Sequence, residues 1–167
     1  MHIICARFER LDEMPVTSLF GAIGVYVLWS PRADVRPSYI GEGRLIDRFS
    51  REHIDRFGAG TTGYAAVLHE GTERQRKSDA EIVETILIQV GGQIDQRPAN
   101  NDSSGKRKGM RLLWEEWHNL VKVNVTGWHP LRWDSRLRGR VEIKAWLDYD
   151  KDEGFQVVID HPWRRCG

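Results

Sequence analysis

The sequence predicts an α+β fold: a small antiparallel β-sheet flanked by helices, followed by a C-terminal extension of one helix and a β-hairpin. Three observations carry that expectation. Two β-branched and aromatic runs, residues 23–29 and 38–42, stand on either side of a linker rich in turn formers. Two stretches, 44–57 and 78–90, repeat apolar residues at helical spacing. Near the C-terminus, apolar runs 141–148 and 155–160 bracket Asp150-Lys151-Asp152-Glu153-Gly154, a hairpin signal.

Taken in order, residues 1–19 give the weakest pattern. Ile3 to Leu11 fits a strand or a short helix, and Met14-Pro15 breaks it. Ile23 to Trp29 is a strand by composition. The linker Trp29–Ser38 carries Ser30-Pro31 and Pro37-Ser38, and Gly41 and Gly43 close the second strand. In 44–57, Leu45, Ile46, Phe49, Ile54 and Phe57 recur at helical spacing, and Gly58-Ala59-Gly60 ends the run. Gly63 to His69 reads as a third strand and Glu70 to Lys77 as a polar loop. Ser78-Asp79-Ala80-Glu81 fits a capping box, in which the serine hydroxyl takes a free backbone N–H and the glutamate reaches back. Val83, Ile86, Leu87 and Val90 form the apolar stripe behind it, and Gly91-Gly92 is the expected stop. Residues 95–109 read as a polar loop and the candidate boundary. That divides the chain into a domain over 20–101 and an extension over 110–167, packed on it and suited to substrate recognition. Met110 to Leu120 reads as an amphipathic helix, and 121–128 as a strand.

Composition bounds the function classes. The chain has 167 residues, of which 40% are hydrophobic and 29% charged, which suits a globular protein with a core of its own. The net charge of +1 gives no overall basic character, although arginines cluster at 44–56, 74–77, 106–111, 132–140 and 164–165. Arginine suits two-pronged contact with phosphate. The two cysteines, Cys5 and Cys166, make neither a disulfide framework nor a zinc pattern. No run approaches a membrane span and no signal peptide is apparent, so a cytoplasmic protein is expected. No phosphate-cradling loop with Lys-Ser/Thr precedes a helix, which argues against nucleotide hydrolysis.

The chemistry-bearing residues lie in the first two thirds. Gly24-Val25-Tyr26 and Tyr39-Ile40-Gly41 each set a tyrosine beside an aliphatic residue and a glycine, so a hairpin would present two phenols. Arg48 and His53 follow on the first helix, and Arg44 precedes them. Glu84 lies among Ala80, Val83, Leu87 and Ile88, which makes it a partly buried carboxylate whose cost a bound cation would offset. Pro98-Ala99-Asn100-Asn101 follows that helix, and Lys106-Arg107-Lys108 is a basic run suited to a nucleic-acid backbone. Phosphodiester hydrolysis needs a deprotonated water and neutralisation of charge on the phosphate and the leaving oxygen. A tyrosine with a lowered pKa would serve as base, and an arginine would stabilise the charge. Each residue also has an ordinary structural use: strand tyrosines, a helix arginine pairing with Glu52, a core histidine, a turn asparagine.

In this order the motifs resemble the GIY-YIG nuclease family, over residues 20–101. The resemblance implies a metal-dependent endonuclease acting on DNA, of restriction or repair type, with Tyr26, Tyr39, Arg48, His53, Glu84 and Asn100 (Asn101 close behind) as catalytic residues. It implies Mg²⁺ or Mn²⁺ on Glu84. Arg44, Lys106, Arg107 and Lys108 are the expected DNA contacts, and a palindromic target would make the enzyme a homodimer. Three features depart from the family. The tyrosines stand further apart, Val25 replaces an isoleucine, and Glu42 stands where many members have a lysine, which leaves Arg44 as the nearest substitute. The alternative expectation is a DNA-binding protein that retains the fold without useful turnover.

Overall fold

The computed structural model describes residues 1–31, 37–94, 120–152 and 154–163. Its strands are β1 (His2–Arg10), β2 (Ile23–Trp29), β3 (Tyr39–Arg44), β4 (Thr62–Leu68), β5 (Leu120–Gly127), β6 (Val141–Asp150) and β7 (Gly154–Asp160). Its helices are α1 (Leu45–Arg48), α2 (Arg51–Asp55) and α3 (Glu73–Gln93), with two 3-10 turns at Leu11–Glu13 and Val16–Leu19.

The expected small antiparallel sheet flanked by helices is not what forms. All seven strands join one sheet in the order β3-β2-β4-β1-β5-β6-β7, curled into a half-barrel. It is mixed, because β1 pairs antiparallel with β4 and parallel with β5. The reason lies in the segment whose pattern was weakest. Residues 2–10 alternate, with Ile4, Ala6 and Phe8 buried and Ile3, Cys5, Arg7 and Glu9 exposed. That period of two makes a half-buried strand, and its placement at the centre ties the tyrosine hairpin to the β6–β7 hairpin.

Helix content falls short of expectation for local reasons. The stretch 44–57 holds two short pieces, α1 and α2, broken where Ser50 caps the second by accepting the His53 N–H at 3.3 Å. α3 is the only long helix among the described residues, and it starts earlier than Ser78. Thr72 caps it, with its hydroxyl accepting from the Gln75 N–H at 3.2 Å. Glu73, Arg74 and Lys77 are exposed good helix formers, so a polar run that resembles a loop is the first turn of a helix. Ser78 and Asp79 are buried inside it, and Gly91-Gly92 continue it to Gln93. The expected helix over 110–120 falls outside the described residues except for Leu120, which opens β5.

α3 packs on the face of the sheet formed by Phe8, Val25, Val27, Ile40, Tyr64, Val123 and Ile143, with Ile82, Val83, Ile86 and Leu87 buried against it. A smaller cluster sits on the opposite face around Tyr26, Leu28, Leu45 and Ala65, roofed by α1, α2 and the second 3-10 turn. β2 is therefore buried on both faces. That explains its unbroken apolar run, where a sheet with one wet face would show alternation. Among the described residues no helix is long and apolar enough to cross a membrane.

Candidate active site

The hairpin β2–β3 sets the two phenols by register. Tyr26 lies opposite Gly41, and Leu28 opposite Tyr39. Residues two apart share a face, so Tyr26 and Tyr39 emerge diagonally on the same side. Their rings stack with centroids 5.8 Å apart at 24°. The space between them exists because Gly41 has no side chain. A Cβ there would stand 2.5 Å from the Tyr26 hydroxyl and 2.5 Å from Tyr39 Cε1. Gly24 has a different task, since a Cβ at that position would strike the Ala66 carbonyl of β4. The two motif glycines are thus steric requirements of one hairpin.

His53 reaches the pair from α2. Its Nε2 lies 3.2 Å from the Tyr26 hydroxyl, and its ring meets Tyr26 and Tyr39 edge-on at 6.1 and 6.2 Å. Phe49 and Phe57 close the aromatic wall, at 5.6 Å from Tyr26 and 5.2 Å from Tyr39. Such edge-to-face contacts each add about 0.5–1.5 kcal/mol beyond area burial, which fixes the rings rather than leaving them to solvent. Arg48, exposed at the end of α1, folds back over Gly43, where a Cβ would meet its Nε at 3.4 Å.

The electrostatics of this group differ from the expectation for a base. Burial pushes the Tyr26 phenol well above its ordinary pKa, and Tyr39 adds to that, while the Arg48 charge opposes it. Glu84 contributes weakly in the upward direction. Tyr26 is therefore a neutral phenol at physiological pH, not a phenolate. His53 is held below the usual histidine range by burial first, then by the charges of Arg48 and Arg56. A neutral imidazole beside a neutral phenol can accept the phenolic proton, so the pair can relay one proton where neither group alone is poised to hold it.

Glu84 is half-buried on α3, the helix that packs against β2 and β3. Tyr26, Tyr39, Arg48 and His53 thus gather from β2, β3, α1 and α2 on one face of the hairpin, whereas Glu84 reaches them only through its charge on Tyr26, from the helix packed on the other face. Asn100, Asn101, Lys106, Arg107 and Lys108 lie outside the described residues. Arg44 is exposed at the end of β3 and bonds Glu73 at 3.2 Å, a carboxylate it shares with Lys77 at 3.0 Å. Its charge is accordingly spent in part on the start of α3. The aromatic wall of Phe49 and Phe57 was visible in the sequence only as helix periodicity.

A divalent cation has a narrow set of donors here. Among the described residues no three His, Cys, Asp or Glu side chains cluster as a metal site. Mg²⁺ commonly takes only one or two carboxylates and fills its shell with water and substrate phosphate, and one half-buried glutamate fits that pattern. Among the described residues, Trp29, Trp128 and Trp133 serve packing. Tyr64 stacks on Trp128 at 6.0 Å, Trp29 donates to the Pro130 carbonyl at 3.3 Å, and Arg10 lies over both Trp128 and Trp133. Comparison with protein families, curated proteins and solved structures returned no match.

Proposed function

We propose that this chain is a metal-dependent endonuclease that hydrolyses DNA phosphodiester bonds, as the motifs of the GIY-YIG nucleases suggest. One observation carries the reading. Residues separated by up to 58 positions, counted from Tyr26 to Glu84, meet as a phenol–imidazole pair with a cation and a carboxylate in electrostatic reach. The support lies in side chains and their order, since the architecture is larger than the one the resemblance implied.

The residues divide the work as follows. Tyr26 takes a proton from the attacking water as it passes its own to His53 Nε2. Tyr39 and Phe49 hold the phenol in place. Arg48 offers guanidinium donors to the charge that develops on the phosphate. Glu84 would hold Mg²⁺ or Mn²⁺, and the ion would neutralise charge on the phosphate and leaving oxygens. The partner is DNA, the compartment is cytoplasmic, and a palindromic target would call for a homodimer.

A second reading has an observation in its favour. Tyr26 is only 1% exposed, which narrows the path of a water to its hydroxyl and suits a DNA-binding protein without useful turnover. Plasmid cleavage with Mg²⁺, Mn²⁺ or a chelator decides between them. The nuclease reading expects metal-dependent nicking or linearisation that falls by about 10²-fold or more in Tyr26→Phe, His53→Gln and Glu84→Gln. Intact plasmid under every metal, with DNA still bound, leaves the binding protein in its place.

A further inference from the structure

The face of the sheet opposite α3 holds a second feature, separate from the tyrosine group. Across β4, β1 and β5 lies a cavity of about 370 Å³, in the size range of small-molecule sites. Met14, Ala65 and Val67 give it apolar walls, while Arg7 and Arg140 supply exposed guanidinium groups. Cys5 lines it with an exposed free thiol. The second 3-10 turn borders both, lining this cavity with Ser18 and packing Leu19 into the cluster around Tyr26, and Ala65 belongs to the lining of one and the packing of the other.

Asn124 is the residue that asks for a ligand. It sits beside Cys5 in the parallel β1–β5 register, lines the cavity and is only 9% exposed. Its amide oxygen has no hydrogen-bond partner. Nearly all buried polar atoms in folded proteins are paired, so an orphaned one marks a partner to be supplied. The oxygen has under 1 Å² of exposed surface, so a ligand meets it only as the side chain turns about its last torsion, which also exchanges oxygen and nitrogen and lets Asn124 offer an acceptor beside a donor. That is the pattern by which an asparagine reads the edge of a nucleobase.

We propose that this cavity binds a nucleotide, with its base held between Met14 and Val67 against Asn124 and its phosphate on Arg7 and Arg140. The choice of a nucleotide rests on the nuclease reading above. The apolar walls suit a planar base, the amide suits its donor–acceptor edge, and the two guanidiniums suit phosphate. Glu9 tempers the site, because its carboxylate lies 3.5 Å from Arg7 Nε, and leaves Arg140 as the principal anchor. The same chemistry admits a free nucleotide or one unit of a strand whose backbone continues toward Tyr26.

Cys5 makes the test local. In a Cys166→Ser protein it is the only thiol, because the chain has two cysteines. Its alkylation by iodoacetamide is followed by mass spectrometry in chelator, with dAMP or a short single-stranded oligonucleotide. The expected result is a saturable slowing of alkylation by several-fold. Affinity should fall by about tenfold or more in Asn124→Leu, the low end of what one two-pronged base contact is worth. It should fall likewise in Arg140→Ala, an exposed position whose change leaves the fold intact. Tighter protection by the oligonucleotide identifies a strand as the occupant, and equal protection by dAMP a free nucleotide. Alkylation that stays unchanged at millimolar nucleotide, or protection that survives both variants, overturns the proposal. Cleavage is scored in parallel on the same protein with Mg²⁺ or Mn²⁺ in place of the chelator. Protection without cleavage sinks the nuclease reading and keeps the nucleotide site, whereas cleavage without protection does the reverse.

Discussion

Gly41 decides whether two phenols can share one face of the hairpin. Adding a single methyl there forces Tyr26 and Tyr39 apart, since the Cβ would stand 2.5 Å from an atom of each. Overpacking of this kind costs about 1–3 kcal/mol, but a displaced catalytic group can cost about 10²-fold in rate. Gly41→Ala should therefore cut single-turnover DNA cleavage by about 10²-fold while circular dichroism still reports a folded sheet; full activity in that variant would detach the phenol pair from the chemistry. His129 makes a second residue-scale prediction. Burial, helped by the Arg132 charge, holds its pKa at about 4, and its Nδ1 accepts the Leu131 N–H at 3.2 Å. The folded value lies below the unfolded one of about 6.5, so the unfolded chain takes the proton first. Stability is therefore complete above that pH and drains away as pH falls from about 6.5 toward 4, by about 3 kcal/mol in all. Denaturant titrations across that window should show the loss in the wild type. They should show it much reduced in His129→Asn, which keeps an acceptor and removes the titration. An equal pH slope in both would assign the loss to other groups.

Among the elements, those with a pattern spanning their whole length were legible. Ile23–Trp29, Thr62–Leu68 and the β6–β7 hairpin stand where β-branched and aromatic runs between turn residues put them. α3 was legible in its apolar half only. Its first turn is exposed, so nothing in its hydrophobicity marks it, and Ser78-Asp79-Ala80-Glu81 imitates a start that Thr72 in fact provides. Removing the true cap tests this directly. Thr72→Ala should cost about 1 kcal/mol, or about 2–4 °C in melting temperature for a chain of this size. An unchanged melting temperature would show the end of α3 to be frayed and its cap idle. The candidate site was legible in its residue types, because short motifs in a fixed order can be read without any fold. What could not be read was the state of the phenol. Its upward pKa depends on burial under α1, α2 and the aromatic rings of Phe49 and Phe57, which are tertiary neighbours.

At the scale of the whole molecule, β1 joins everything else. It supplies Ile4, Ala6 and Phe8 to the core on one face and Cys5, Arg7 and Glu9 to the cavity on the other. Its first residue is also pinned to α3, where His2 Nε2 lies 2.7 Å from Asp79 Oδ1. Its centrality was not legible, because parallel pairing with a strand more than a hundred residues away leaves no local signature. Phe8 is fully buried between the two halves of the sheet, and Phe8→Ala should cost about 3–5 kcal/mol. It should unfold the hairpins on both sides in one transition, seen as coincident loss of tyrosine and tryptophan signals in urea. Two separate transitions would mean that the halves stand without their common strand. The order of synthesis gives the same strand a further role. β1 leaves the ribosome before its parallel partner, residues 120–127, which at 5–20 residues per second follow on the order of ten seconds later. Through that interval β1 can pair on one side with β4, but its other edge stays open, so its fate depends on whatever shields that edge until the second half of the molecule arrives.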